Sequence, residues 1–344
     1  MDQGIVTPAQ KPPVAIPAIG EALFELLARC YGFAPPDVHC AQWLAQISAG
    51  MPADKFIRWL VSTPGFSLSA PGTFNSPMVN LDDARPYLAR ERQCRAADVK
   101  GITFDLNAMA ALWQSQAAFI AATPFSEQPD GVHRYSFLGG PYNYGDAITL
   151  RMLMNAFRPR RIVEIGSGHS TACMLDTADE IALDPLSITC VEPFPVALRS
   201  LLRPEDFARV AIVEQQVQGL DLALFASLKA NDILFIDSSH VLKTGSDVHY
   251  ELFHILPELA PGVLVHFHDC RWPFEYSDRL IFEQRKSWNE AYGVRALLMH
   301  STRFEVLFYN SLFALEREAE AQAVSPDFMR NPGSAIWLRV KRRK

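Results

Sequence analysis

Residues 161–171 read RIVEIGSGHST and decide the fold, because they combine an apolar strand, a glycine-rich turn and the start of a helix. The β-branched residues of 162–165 are typical of a buried strand. Gly166 and Gly168 permit a tight turn in which a ligand can approach bare backbone. Such a turn places backbone N–H groups at the carboxyl end of a strand, where α/β sheets bind nucleotide-like ligands.

The turn departs from the dinucleotide fingerprint G-x-G-x-x-G, because Thr171 stands where a third small residue is expected. The carboxylate of Glu164, just before the glycines, suits a cationic ligand better than a pyrophosphate. The order E-x-G-x-G-x-S-T resembles the first motif of class I S-adenosylmethionine (SAM) methyltransferases. The resemblance implies that SAM, which carries a sulfonium and an amino group, is bound by Glu164, Gly166, Ser167, Gly168, Ser170 and Thr171.

Length and composition narrow the class of protein. The chain has 344 residues and a formal net charge of −6, which allows a large α/β domain plus a smaller one and makes nucleic acid an unexpected partner. Six scattered cysteines without a C-x-x-C pair argue against a zinc knuckle or disulfide framework and favour a reducing cytoplasm. No apolar run reaches the roughly 18 residues of a membrane span. We therefore expect a cytoplasmic protein that acts on a small molecule and has no membrane partner.

The sequence divides into three predicted regions. Residues 1–19 are rich in proline and form a flexible lead. Residues 20–100 contain short amphipathic helices and a linker, which predict a helical accessory domain and a candidate surface for homo-oligomerisation. In residues 101–344 strands alternate with helices, which predicts an α/β, Rossmann-like sheet of seven mainly parallel strands with helices on both faces. The resemblance implies that this region is the methyltransferase domain and that its final strand is antiparallel.

Polar residues end the second and third predicted strands. Glu192 stands where an acid of nucleotide-binding α/β folds accepts hydrogen bonds from ribose hydroxyls, although a strand-end glutamate can also be an ordinary surface residue. Gln215 and Gln216 end the third strand, where adenine contacts arise, and either can equally be solvated. We predict Glu192 and Gln216 as cofactor-binding residues.

Two neighbouring strands each deliver an acid and a histidine to one edge of the sheet. ILFIDSSH (233–240) places Asp237 above the expected position of the SAM methyl group, with His240 three residues later. The next strand, VLVHFHDC, brings His268 and Asp269 to the same edge. Acids on adjacent strand ends can share a hard cation. We favour a functional role for these acids and histidines over a purely structural role in the core. Metal binding and a role without a metal both stay open.

Further segments sharpen the resemblance. Over about residues 130–311 the chain is similar to a methyltransferase family that includes macrolide-sugar O-methyltransferases and many bacterial members. The matching segments are residues 236–269, WPFEYS (272–277), WNEAY (288–292) and FEVLFYN (304–310). The sugar-modifying members of that family use a divalent metal, usually Mg²⁺.

The resemblance also implies roles for individual residues. Asp237 and Asp269 become metal ligands, His240 becomes the general base, and Asp247 or His268 would have to complete the metal site. The leading hypothesis is therefore O-methyl transfer from SAM to a small-molecule or sugar hydroxyl. The alternatives are a nicotinamide-dependent oxidoreductase on a related sheet and a catalytically silent interaction protein.

Overall fold

The computed structural model describes residues 76–342, so the predicted lead and most of the predicted accessory domain lie outside the described residues. A compact unit that contains the sheet begins at Leu81. Helix α1 (Leu81–Glu91) belongs to it, because Arg92 pairs with Asp278 at 2.7 Å and the Tyr87 hydroxyl donates to Glu275 at 3.2 Å. The unit therefore includes residues 81–100, and the predicted division of the chain at residue 101 stays a prediction.

A seven-stranded sheet forms the centre of this unit. Its strands are β1 (Arg161–Ile165), β2 (Ser187–Val191), β3 (Val210–Val213), β4 (Ile233–Ile236), β5 (Leu264–Phe267), β6 (Phe304–Tyr309) and β7 (Ile336–Val340). They lie in the order β3-β2-β1-β4-β5-β7-β6. The first five pair in parallel, and β7 runs antiparallel to both β5 and β6. The predicted Rossmann-like sheet with an antiparallel final strand is confirmed.

The sheet topology fixes where a ligand can bind. All residues of β4 and β5 are buried, as expected for parallel strands covered by helices on both faces. The chain runs from β1 outward to β2 and β3 and then returns to β4 on the other side of β1. A crevice forms at the carboxyl ends of the strands where the order reverses. The ends of β1, β2 and β4 therefore define the candidate site.

Short helices cover the sheet. After α1 they are α2 (Leu106–Ser115), α3 (Ala117–Ala121), α4 (Tyr144–Phe157), α5 (His169–Glu180), α6 (Val196–Leu201), α7 (Ala223–Ala226), α8 (Asp247–Tyr250), α9 (Leu256–Glu258), α10 (Glu290–His300), α11 (Asn310–Glu316), α12 (Glu318–Val324) and α13 (Pro326–Arg330). A π-helical turn, Glu251–Ile255, joins α8 to α9, and another lies at Arg279–Glu283. Between residues 76 and 342, no helix combines the length and the apolar character that crossing a membrane requires.

The segment between β5 and β6 differs from the prediction of a helix over residues 280–300. The structure has the π-helical turn Arg279–Glu283, then an irregular segment, and then α10. The backbone N–H groups of Asn289 and Glu290 donate to the carbonyl of His240 at 3.0 and 3.2 Å, which fixes the start of α10 beside that residue. The helix begins at residue 290 rather than 280 because its first N–H groups donate to the carbonyl of His240. The local pattern of apolar residues does not reveal this long-range contact.

A buried ion-pair network ties the loop before α4 to the rest of the unit. Arg134, with a side chain only 3% exposed, donates to Asp176, Asp179 and Asp206 at 2.6 to 2.8 Å. Asp206 is fully buried, and hydrogen bonds from Arg134 and Arg203 lower its pKa against the opposing effect of burial. The network anchors the loop on α5, because Arg134, Asp176 and Asp206 are buried and none of these three charges can be left alone without a large desolvation cost.

Candidate active site

The glycine turn after β1 packs against the end of β4. Gly166 has a φ of +77°, and a Cβ on it would lie 1.8 Å from the carbonyl oxygen of Asp237, so only glycine fits. Its N–H donates to Val191 at 3.0 Å, and the N–H of Asp237 donates to Ile165 at 2.9 Å. The ends of β1, β2 and β4 are thereby held together at one edge of the sheet.

Glu164 lies in β1, just before this turn, and its side chain is buried rather than exposed. The residue is fully buried, and its carboxylate accepts hydrogen bonds from the hydroxyls of Ser170, at 2.5 Å, and of Thr171. Burial raises its pKa to about 7, although the hydroxyls and Cys190 oppose that rise. The structure does not support the predicted direct contact of Glu164 with a ligand, because no part of the side chain reaches the surface. Its contacts instead brace the first turn of α5.

A first cavity of about 570 Å³ opens at the carboxyl ends of β1, β2 and β4. Of the predicted cofactor residues, those that line it are Gly166, Glu192, Gln216 and Asp237. The carboxylate of Glu192 accepts hydrogen bonds from the N–H groups of Ser167, at 3.3 Å, and Phe194, at 2.8 Å. The structure therefore gathers residues from three strand ends and the glycine turn around a single space.

The remaining predicted residues of the turn stand back from this cavity. Ser167 adjoins it through the bond to Glu192, but Ser167 and Gly168 do not line it. Ser170 and Thr171 are buried in the first turn of α5 and hold Glu164. Their expected role as cofactor contacts stays a prediction.

His240 brings the two predicted acids together. Its Nε2 lies 3.4 Å from Oδ1 of Asp237 and 3.7 Å from Oδ2 of Asp269, and its Nδ1 lies 2.8 Å from Oε2 of Glu290. Its left-handed backbone conformation, with a φ of 60°, turns the chain back after β4. We call His240, Asp237, Asp269 and Glu290 the His240 cluster.

The His240 cluster is strongly charged. Burial alone would lower the pKa of His240, but the hydrogen bonds to Asp237 and Glu290 outweigh it and raise that pKa to about 11. The pKa of Asp237 is lowered, because the attraction of His268 and His240 exceeds the effect of burial. These interactions favour an imidazolium at His240 beside the carboxylate of Asp237.

Glu290 is the member of the His240 cluster that was not predicted from the sequence. It is buried, and its Oε1 has no hydrogen-bond partner among the described residues. Burial raises its pKa, against the effect of His240. Behind it lies a second buried acid, Glu251, which accepts a hydrogen bond from Ser238 at 3.2 Å. The only sequence signal was the WNEAY segment, because Glu290 and His240 lie far apart along the chain.

A second cavity, also of about 570 Å³, lies on the Asp269 side of His240. Asp146, His268, Asp269 and Tyr276 line it. Asp269 follows the end of β5 with a φ of 50°, and its Oδ1 accepts a hydrogen bond from the Ser334 hydroxyl at 2.8 Å. Because Asp237 lines the first cavity and Asp269 the second, His240 stands between the two.

The donor set partly fits the predicted metal. In the part of the chain from residue 76 to 342, no three acid, histidine or cysteine side chains form a metal-ligand group. Asp247 is engaged by the N–H and hydroxyl of Ser239, and the pKa of His268 is raised because the neighbouring acids outweigh the effect of burial. A role for either residue in completing a metal site stays a prediction. Asp237 and Asp269, each about one-third exposed, both approach the Nε2 of His240. Two carboxylates suffice for Mg²⁺ when substrate and water supply the other oxygens.

Comparisons with known proteins complete the description. Residues 163–270 match the model of a family described as a methyltransferase domain. A protein of Archaeoglobus fulgidus, described as an uncharacterized protein, is 30% identical over 168 residues, which cover 47% of this chain and 75% of the relative.

Two solved structures resemble the chain more distantly. The SAH-bound methyltransferase PaMTH1 of Podospora anserina has a TM-score of 0.38 and 16% identity, covering 80% of this chain and 100% of its own. The SAM complex of the O-methyltransferase TomG of Streptomyces achromogenes has a TM-score of 0.37 and 14% identity, covering 73% and 99%. Likeness at this level supports no functional argument.

Proposed function

The chain belongs to the class I SAM-dependent methyltransferase family, and from that premise we propose that it transfers the methyl group of SAM to a hydroxyl of a small molecule or sugar. The first cavity receives the cofactor and the second receives the acceptor. In this proposal Glu192 binds the ribose hydroxyls, Gln216 contacts the adenine, and the backbone of the glycine turn adjoins the amino-acid part of SAM.

The position of His240 carries the proposal. Its imidazole is within 3.7 Å of an acid from each cavity, so a hydroxyl in the second cavity and a methyl group in the first would meet beside it. Methyl transfer to oxygen requires in-line positioning of the two reactants and a group that receives the hydroxyl proton. A cluster at the boundary of two cavities meets both requirements.

The residues of the cluster divide this work. Asp237 and Asp269 orient the reactants from their two sides, and His240, in its neutral form, accepts the proton of the acceptor hydroxyl at Nε2. The thioether that leaves SAM is neutral and needs no acid. Glu290 positions the imidazole through Nδ1. A divalent cation held by Asp237 and Asp269 would supply positive charge that favours the alkoxide and the neutral imidazole.

The proposal is tested by methyl transfer from SAM carrying a deuterated methyl group to D-glucose, D-glucuronate, D-glucose 6-phosphate and catechol, detected by mass spectrometry. We expect a labelled O-methyl product from the wild-type protein and none from Asp237→Asn, although that variant retains SAM binding. His240→Gln should lose transfer, whereas His254→Gln, an exposed histidine, should not. Transfer that survives in His240→Gln across pH 6–9 would contradict the assignment of the base.

The same assay decides whether a metal assists. We expect dialysis against EDTA to reduce transfer and added Mg²⁺ to restore it. The reason is that a cation held by Asp237 and Asp269 would stabilise the alkoxide of the acceptor. Transfer that is unchanged by EDTA would remove the metal from the proposal and leave the residue roles in place.

A further inference from the structure

We propose that the acceptor is an anion, a hydroxyl compound whose carboxylate or phosphate group is bound by Arg271 and Arg279 in the second cavity. This inference rests on the proposed function, because it takes the second cavity as the acceptor site. It adds the chemical class of the acceptor, which neither the fold nor the His240 cluster defines.

Both arginines are in the right place. Arg271 and Arg279 line the same cavity as Asp269, and Arg271 follows Asp269 by two residues. Arg271 also lines an adjacent cavity of about 480 Å³, which shares Tyr276 with the second cavity. A group bound by the arginines would therefore lie beside the reaction centre, with space for further atoms of the acceptor.

Neither guanidinium is used by the protein itself. Within residues 76–342, no carboxylate pairs with Arg271 or Arg279, and no other group accepts a hydrogen bond from their side chains. Guanidinium groups bind carboxylates and phosphates through two parallel hydrogen bonds, and such charge-assisted bonds are the strongest a side chain offers. Two exposed guanidiniums with free donors at one cavity are therefore available to bind an anion there.

Two acids near these arginines in the sequence have other partners. Glu275 accepts hydrogen bonds from the hydroxyls of Tyr87, at 3.2 Å, and Tyr292, at 2.9 Å. Asp278 pairs with Arg92 at 2.7 Å. Because both of these carboxylates are bound elsewhere, neither forms an ion pair with Arg271 or Arg279.

The acids on the other side of the cavity would help to orient an acceptor bound by these arginines. Asp269 faces the second cavity, and two more carboxylates, those of Asp237 and Glu290, surround His240. An anionic acceptor would be repelled from this side of the cavity and attracted toward the arginines. The two opposing effects would orient the molecule, with its anionic group on the arginines and its hydroxyl directed at His240.

The test is calorimetric titration of the SAH-saturated protein with D-glucuronate, D-glucose 6-phosphate and D-glucose, which share one ring and differ in charge. We expect at least one of the two anions to bind at least tenfold more tightly than glucose. Arg271→Gln and Arg279→Gln should each weaken that binding at least tenfold. The control is Arg160→Gln, an exposed arginine before β1 at the opposite edge of the sheet, which should leave the binding unchanged.

Each outcome is decisive. A preference for glucuronate assigns a carboxylate acceptor, and a preference for glucose 6-phosphate assigns a phosphate. Equal binding of all three probes, undetectable binding of both anions, or anion binding that both arginine variants retain would overturn the proposal. SAH binding in the same samples reports folding of the variants. A wild-type protein that binds SAH and methylates only neutral sugars refutes the anionic acceptor alone, whereas one that binds no SAH refutes the proposed function itself.

Discussion

Replacing Glu164 with glutamine will change the pH dependence of stability and leave cofactor binding nearly unchanged. The residue is fully buried, and both carboxylate oxygens accept hydroxyl hydrogen bonds from α5. Glutamine keeps the shape and can both accept from one hydroxyl and donate to the other. The variant therefore removes the buried charge without emptying the site, and its effect isolates the energetic consequence of burying that charge.

The magnitude follows from the raised pKa of Glu164. A pKa of about 7 in the folded protein, against 4.5 for an ordinary glutamate, means that the folded state holds the proton more tightly than the unfolded state. The stabilisation is complete below pH 4.5 and is lost as pH rises to about 7. Since a tenfold change in proton affinity corresponds to about 1.4 kcal/mol, the loss at pH 8 is about 3 kcal/mol. Between pH 5 and pH 8, the stability difference should shift toward Glu164→Gln by about 2.5 kcal/mol.

The assay is urea denaturation followed by fluorescence at pH 5, 6, 7 and 8, with Glu318→Gln on exposed α12 as the matched control. As pH rises, the free energy of unfolding of Glu164→Gln should increase relative to that of wild type. The difference between Glu318→Gln and wild type should not change with pH. A difference that does not vary with pH would refute a buried, proton-holding Glu164. A tenfold loss of SAM affinity in the variant would instead restore the direct cofactor contact that the sequence predicts.

Further variants test the other parts of the structure. Arg134→Ala should lower the free energy of unfolding by about 3–5 kcal/mol in urea denaturation, because it strands buried carboxylates; a loss below 1 kcal/mol would contradict the network. Glu290→Gln should slow methyl transfer by about tenfold at unchanged SAM affinity, because His240 keeps a hydrogen-bond acceptor at Nδ1 but loses the negative charge that makes it more basic; an unaltered rate would remove Glu290 from the site. Gly166→Ala should destabilise by about 2 kcal/mol or more, since the left-handed backbone and the adjoining carbonyl exclude a Cβ. Gly168→Ala, whose Cβ would meet open space, should cost less than about 1 kcal/mol, and equal effects at the two glycines would show the turn to be misassigned.

The sheet could be predicted from the sequence because its information is local. Each parallel strand is a short apolar run with turn residues on both sides, and the alternation with helices permits few topologies. The carboxyl edge as the functional edge follows from that topology alone. Asp237, His240 and Asp269 were therefore predicted as neighbours. In the structure the carboxylates of Asp237 and Asp269 both lie within 4 Å of Nε2 of His240.

What the sequence left out depends on long-range packing. Glu290 joins the His240 cluster only because the carbonyl of His240 captures the first N–H groups of α10. Glu164 is the acid expected of a SAM motif, but its carboxylate is buried against the hydroxyls of Ser170 and Thr171 at the start of α5. The pattern of residues does not show whether a carboxylate near a strand end is buried against a helix or faces a ligand, because both orientations are compatible with the same sequence.

The division of the site into a cofactor cavity and an acceptor cavity is the central claim. Calorimetric titration with SAM tests it most directly, comparing wild type with Glu192→Ala from the first cavity and Asp269→Asn from the second. Hydrogen bonds to a charged group contribute about 1.5–3 kcal/mol each. We therefore predict that Glu192→Ala weakens SAM binding at least tenfold, whereas Asp269→Asn stays within about threefold of wild type. Wild-type affinity in Glu192→Ala, or a larger loss in Asp269→Asn, would contradict the placement of SAM in the first cavity.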